Sequence, residues 1–476
     1  MRSYLPIKSN FLSSSRNCSN GFRQLWLVML FACSTIATAD QPSAQSLRVG
    51  ASSGTYTAPD LYAPSYRQFE NGLKFVSLKR DHAQNVTLKV RVGVGMSDFP
   101  CGSQETPHAL EHMVYGGLPN ISETELEKQF WELGIDSNAY VDRRKTVFEM
   151  QIFPESLYKG LSLTLRTLTE SQFDDELWQS TQTVLHQEAG GEPTQLVRSA
   201  STGGKFASAY DRLAAAMDAQ FNLQCPQFNQ QQNVDLEKVQ QAYNDFYRPG
   251  NMMWVVVGDF DEERLNEWAR KNLASLSSVG AIPPRKRPNV TLPEQRRWKG
   301  FGPVASAGLG FQTDGLGSED YFDLTLLSEI LNQMAYTELR LKDSIAYSPS
   351  SWFGADEYSG TLLLSTDLPS GNHEEGLIRM HSLLDSLTSA PLDERELNQF
   401  KLGLLRSWAQ IPESNTGFAD YYIASFWEFE NFGSLINYEA KIAAVTVESL
   451  HSLASSLKSS KSKFELINHE YPNHLY

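Results

Sequence analysis

The chain is poor in positive charge. Its 476 residues carry 41 Lys and Arg against 56 Asp and Glu, a formal net charge of −15. Affinity for nucleic acid rests on Lys and Arg neutralising phosphates, and no stretch reads as a basic stripe. Nucleic acid is therefore excluded as a partner. Cysteine is nearly absent, with 4 in all, and Cys18 and Cys33 fall in an N-terminal leader. Cys101 and Cys225 remain, either as one pair in an oxidising compartment or as two separate buried thiols. Long apolar runs are missing too. Leu25-Trp-Leu-Val-Met-Leu-Phe31 is too short to span a bilayer. It follows Arg2, Lys8, Arg16 and Arg23 and precedes Ala37-Thr38-Ala39. That order reads as a secretory signal peptide over residues 1–39, with Asp40 starting the mature chain. The expected location is across the inner membrane, in the periplasm, with no transmembrane segment in the mature chain. Lipid attachment at Cys33 is the alternative, and Phe31 fits such a signal poorly.

What is present is globular. Hydrophobic residues make up 41% and charged residues 20%, and the length suits two or three domains. Histidine is scarce, so the spacing of two of the 9 is informative. In His108-Ala-Leu-Glu111-His112 the histidines stand at i and i+4, about 40° apart around a helix. Both imidazoles can reach one ion, and Glu111 lies near the same face. Neutral imidazoles suit zinc, and a catalytic zinc site takes three protein ligands and a water. His-x-x-Glu-His is the inverted form of the commoner zinc-protease pattern. It arises by chance in roughly one chain of this length in a hundred, so a surface helix with two scattered histidines competes with it. Glu188, on a later helix, is the candidate third ligand, although spacing alone does not return it to the metal. His186 sits about 200° around that helix from Glu188 and reads as surface or packing.

The elements read as follows. Asn71-Gly72 turns a hairpin between Tyr66 and Leu78. Residues 86–92 alternate as a half-buried strand does. The histidine helix follows, then a helix opened by Ser122-x-x-Glu125. Strands come next near Asn138-Ala139 and over Thr146–Phe153. A helix begins at Pro154, and another runs from Asp174 to Glu188. A helical region ends near Tyr247, and Met252–Val257 is a buried strand closing a first domain, residues 40–277. Residues 278–293, with Pro283, Pro284 and Pro288, read as a linker to a second domain, residues 294–476. There the order recurs: a strand at 307–311, a helix over 320–341, strands at 351–353 and 361–367, and helices over 373–387 and 393–408. The offset is roughly 215 residues, which suggests two copies of one α/β unit. The second copy has no His-x-x-Glu-His.

These residues resemble the pitrilysin/insulinase zinc metallopeptidases, which include the mitochondrial processing peptidase and small bacterial homologues. The likeness is carried by His108-Ala-Leu-Glu-His-Met-Val-Tyr-Gly-Gly117, Asn71-Gly-Leu-Lys, Gly134 with Asn138-Ala139, and Phe246-Tyr-Arg-Pro-Gly through Gly258. It extends to Arg340 and Tyr347, which keep the family's spacing. The resemblance implies an α+β fold of two homologous domains, each a mixed, mostly antiparallel β-sheet covered by helices, together forming half of a clamshell. It implies one Zn2+ per chain held by His108, His112 and Glu188, with Glu111 as general base. Tyr347 and Arg340 would donate hydrogen bonds to the substrate backbone or the developing oxyanion. The strand of Asn138 and Ala139 would pair with an extended peptide. The implied activity is endopeptidase cleavage of short or unfolded peptides in a chamber closed by dimerisation. Both motifs lie in one chain, which favours a homodimer over a heterodimer with a related subunit. One departure bears on activity: where the family usually has a second glutamate, seven residues before the third ligand, this chain has Thr181. Loss of such a supporting group weakens metal binding or turnover tenfold or more. The alternative function is accordingly a weak or inactive partner subunit, and a zinc hydrolase of non-peptide substrates is a third.

Overall fold

The computed structural model describes residues 64–188, 233–278, 280–284, 295–299, 304–355, 359–369, 372–390, 392–408, 410–428 and 438–469. The leader, Cys18, Cys33, Cys225 and residues 285–293 of the expected linker lie outside the described residues.

Two sheets organise the chain. The first has the order β1-β2-β6-β3-β5-β4, from β1 (Ser65–Gln68), β2 (Lys74–Lys79), β3 (Val86–Val92), β4 (Asp136–Val141), β5 (Thr146–Ile152) and β6 (Met252–Gly258). The second has the order β7-β11-β8-β10-β9, from β7 (Gln295–Lys299), β8 (Val304–Asp314), β9 (Ser350–Ala355), β10 (Ser359–Pro369) and β11 (Lys463–His469). Setting β1 aside, the two orders are one topology traced twice. In each, the first strand pairs parallel to the last, and the other pairings are antiparallel. The expected fold, two related and mostly antiparallel sheets covered by helices, is present.

The hairpin forms at Asn71-Gly72, where Gly72 takes φ 86°. A Cβ there would stand 2.9 Å from the Gly250 Cα, so both the turn and the close approach of that loop require glycine. The buried strand expected over Met252–Val257 is β6. β6 enters the middle of the sheet between β2 and β3, and a further helix, Glu262–Asn272, follows it. β6 is buried on both faces: Met252, Trp254 and Val256 join the helix-side core, and Met253, Val255 and Val257 join a separate cluster behind the sheet.

That second cluster is closed from far along the chain. A helix at Asn415–Ile423, in the second half, lays Phe418, Ala419, Tyr421 and Tyr422 on the back of the first sheet. It also explains β3. The alternation of residues 86–92 predicts one wet face, yet all seven residues are buried. The polar residues are covered and partnered: Lys89 reaches Asp420 at 2.6 Å and Glu149 at 2.9 Å, and the Arg91 guanidinium stands 4.0 Å from the Trp427 ring. Burying a charge is costly unless it is paired; Lys89 has two carboxylates, and Arg91 has the face of the Trp427 ring. No helix among the described residues is long and apolar enough to cross a membrane.

Candidate metal centre

The His-x-x-Glu-His run lies on helix α1, Thr106–Gly116. Pro107 sits in its first turn, where a missing N–H costs nothing. The helix buries Ala109, Leu110, Met113 and Val114 in the core. After α2 (Glu123–Glu132) and α3 (Leu157–Thr169) comes α4, Asp175–Glu188, which packs beside α1, and the anchoring turns His108 and His112 toward it. The two helices pack closely at Gly116, where a methyl group would press on the tip of the Leu177 side chain. Glu188, the last residue of α4, meets both histidines.

The His108 Nε2 to Glu188 Oε2 distance is 3.1 Å, His112 Nε2 to Glu188 Oε2 is 3.5 Å, and the two Nε2 atoms are 3.3 Å apart. Ligand bonds of about 2.0–2.2 Å in a tetrahedral array set ligand atoms about 3.3 Å apart. The three side chains therefore already stand at the edge lengths of such an array. Two imidazoles and a carboxylate are also a known donor set for catalytic zinc. Geometry and chemistry both fit one zinc ion, with a vertex left over. His186, although close in sequence, is not part of the cluster.

The charges follow from the contacts. Burial pulls the His108 imidazolium down, but hydrogen bonds to Glu105 and Glu188 outweigh it and hold His108 well above the ordinary histidine value. Burial pushes Glu188 up, and the hydrogen bonds from His108 and His112 more than reverse this, holding it far below the usual carboxylate range. Glu111 is different. It is buried next to the cluster, and burial raises it despite the pull of both histidines. A carboxylate raised in this way is a better base than one in water. Burial, and then the nearby Glu111 charge, also raise the Tyr115 and Tyr247 hydroxyls, which stay protonated on its side of the helix.

Sequence reading missed Glu105. Its carboxylate is 1% exposed and lies 2.8 Å from His108 Nδ1. The available signal was the i, i+3 spacing to His108, masked because Glu105 precedes the helix and reads as loop. Thr181 is buried, 4% exposed, on the same face of α4 about two turns before Glu188.

The other expected residues fall in two places. Asn138 and Ala139 are on β4, the last strand of its sheet and a neighbour of α1. Asn138 is exposed and Ala139 leans on the core, so one side of the strand faces outward. Arg340 lies in a π-helical turn, Tyr336–Lys342, which continues a helix at Tyr321–Ala335. Its guanidinium stands 4.7 Å from the Tyr347 ring and 5.1 Å from the Tyr336 ring. Tyr347 is 76% exposed. Arg340 and Tyr347 thus meet one another, and the interactions that set the charges of His108, Glu111 and Glu188 come from elsewhere. Cys101 is disulfide-bonded.

Residues 74–196 match the insulinase (peptidase family M16) model, and residues 233–404 match the model described as the peptidase M16 inactive domain. The chain belongs to peptidase family M16. Within M16 it is 22% identical over 305 residues to "Uncharacterized zinc protease YmxG" of Bacillus subtilis, covering 62% of this chain and 71% of that one. It is 24% identical over 365 residues to the mitochondrial-processing peptidase subunit beta of Lentinula edodes, covering 71% and 76%. The zinc protease PqqE of Helicobacter pylori is 22% identical over 383 residues, covering 76% and 84%. Among solved M16-like folds, a protease from Helicobacter pylori superposes with a TM-score of 0.74 at 19% identity, covering 85% of this chain and 99% of the other. The periplasmic protease PqqL from Escherichia coli superposes at 0.67 and 17% identity, covering 92% of this chain but 49% of PqqL.

Proposed function

We propose that this M16 chain is a zinc-dependent endopeptidase of short or unfolded peptides. One observation carries the reading: the Nε2 atoms of His108 and His112 and the Oε2 of Glu188 stand 3.1–3.5 Å apart, with Glu111 buried beside them. His108, His112 and Glu188 would hold one zinc ion per chain. When bound, the ion polarises the scissile carbonyl and acidifies a water. Glu111 accepts the proton of the attacking water and later delivers it to the leaving amine. The β4 edge, with Asn138 and Ala139, aligns the peptide by main-chain pairing, which reads little sequence and predicts broad specificity. Tyr347 and Arg340 supply hydrogen bonds to the substrate backbone or developing oxyanion. Because Tyr347 is exposed on the single chain, a second subunit is the natural recipient, and a homodimer is the proposed assembly. The two-domain division near residues 278–293, the signal peptide and a periplasmic location belong to the same proposal, the last supported by the likeness to the periplasmic PqqL.

A second reading has one observation in its favour. Thr181 lies buried where a carboxylate would support the site, so a weak or inactive partner subunit is the competing function. The test is digestion of a mixed peptide library and of a stable folded protein, with zinc-loaded and chelator-stripped protein in parallel. The endopeptidase reading expects peptides of a few tens of residues to be cut only by loaded protein, with the folded protein surviving. Stoichiometric zinc without cleavage of any peptide would support the partner-subunit reading instead.

A further inference from the structure

We propose that Glu105 is the positioning residue of the metal centre, the group that fixes the tautomer and ring orientation of His108; this rests on the zinc-site reading above. A neutral imidazole has one N–H and one lone pair, on opposite sides of the ring. The Glu105 carboxylate lies 2.8 Å from Nδ1, so it claims the proton there and leaves the lone pair on Nε2. Nε2 is the atom that faces His112 and Glu188. Were Glu105 absent, both tautomers and a flipped ring would compete, and only a fraction of molecules would present a ligand to the ion.

Three observations separate this role from simpler ones. Glu105 is not itself a ligand, because it approaches the ring from the side opposite the cluster. It is not a helix cap: it occupies the N-cap position of α1 yet makes no side-chain capping bond. It is not a solvated loop residue, being 1% exposed. The preceding loop is tied down to hold it. Ser103 N–H donates to the Pro100 carbonyl, Thr106 Oγ1 donates to the Ser103 carbonyl, and Asn233 N–H donates to the Gly102 carbonyl. The disulfide at Cys101 sits in the same loop. Carboxylate partners of metal-bound histidines recur in zinc proteins, and losing one costs about 10–100-fold in metal affinity or activity.

The test is zinc affinity by chelator competition on the full chain, wild type against Glu105→Gln, with thermal melts of the metal-free proteins to compare folding. Glu105→Gln is expected to bind zinc on the order of 10–100-fold more weakly, with the cobalt-substituted protein showing an altered visible spectrum. A wild type that binds one zinc tightly beside a Glu105→Gln affinity within about twofold would overturn the role of Glu105 and leave the zinc site standing. A wild type that binds no zinc would overturn both. A second measurement needs no variant at this position. In wild-type protein loaded with cadmium-113 and labelled with nitrogen-15 histidine, the metal is expected to couple to Nε2 of His108, assigned by its disappearance in His108→Asn. Coupling to Nδ1 would overturn the proposal.

Discussion

The two halves of the molecule share a topology and differ in what one helix carries. Between β3 and β4 of the first sheet the chain inserts α1; Glu105 at its N-cap and Glu111 within it are buried, and His108 and His112 are half-buried. At the same place in the second sheet, between β8 and β9, the helix Tyr321–Ala335 buries Leu324, Leu326, Leu327, Ile330 and Leu331. Its core is apolar throughout apart from Ser328. The later helices repeat the contrast. α4 ends on Glu188, while the same distance along the second copy's helix, Glu394–Trp408, stands the exposed Ser407. One scaffold thus presents two constellations: the His108–His112–Glu188 cluster in the first half, and an exposed Arg340–Tyr347 pair in the second. A fold supports chemistry only where particular side chains are placed on it.

The sharpest way to break the comparison is to make the first half as inert as the second. His112→Ala should lose stoichiometric zinc, read by elemental analysis, and all measurable peptide cleavage. The joint between the halves comes next. Phe418 is fully buried against the first sheet, and Phe418→Ala should destabilise by about 3–5 kcal/mol in denaturant melts. A loss below about 1 kcal/mol would mean that the helix only rests on the sheet. Third is the contribution of the second half to chemistry. Tyr347→Phe should keep zinc and lose about a hundredfold in turnover, roughly 2.7 kcal/mol. If sites are shared across a dimer, mixing Tyr347→Phe with Glu111→Gln should restore activity in exchanged dimers, because one site then has both groups intact. Native mass spectrometry checks that mixed dimers form, and activity at the parental level in their presence would refute the shared site.

The smallest expected effect is on pH. In the metal-free protein His108 is held above its ordinary value of 6.5, so its stabilisation is full below pH 6.5 and is lost as pH rises through the raised value. Glu188 is held below its ordinary 4.5, so its stabilisation is full above pH 4.5 and is lost as pH falls through the lowered value. The pair should therefore support the metal-free fold most strongly between those limits. Zinc displaces the proton, so metal uptake near neutral pH should release protons and protect most on the alkaline side. Thermal melts with and without chelator across that range test this.

Much of this was legible in the sequence because the signals were local. The i, i+4 histidines, the Asn71-Gly72 turn and the Ser122 cap, whose hydroxyl accepts from the Glu125 N–H, each depend on a few neighbouring residues. The repeat was legible because the strand and helix spacing survived. What sequence did not disclose depends on contacts far apart in the chain. The polar face of β3 suggested solvent, and only the helix at Asn415–Ile423 turns it into interior. The helix read over residues 320–341 changes to a π-helical turn at Tyr336, a change of hydrogen-bond register with no compositional mark. Glu105 escaped notice because an acidic residue ahead of a helix ordinarily needs no further explanation.

The central claim is that His108, His112 and Glu188 hold the ion while Glu111 moves the proton. The most direct measurement is therefore made on Glu111→Gln, which removes the base and leaves every ligand in place. Its zinc content and its peptidase activity are measured on one preparation. The account predicts one zinc per chain, as in the wild type, with turnover reduced by about 10²–10⁴. Loss of zinc together with activity, or full zinc with turnover within a few-fold of wild type, would contradict it.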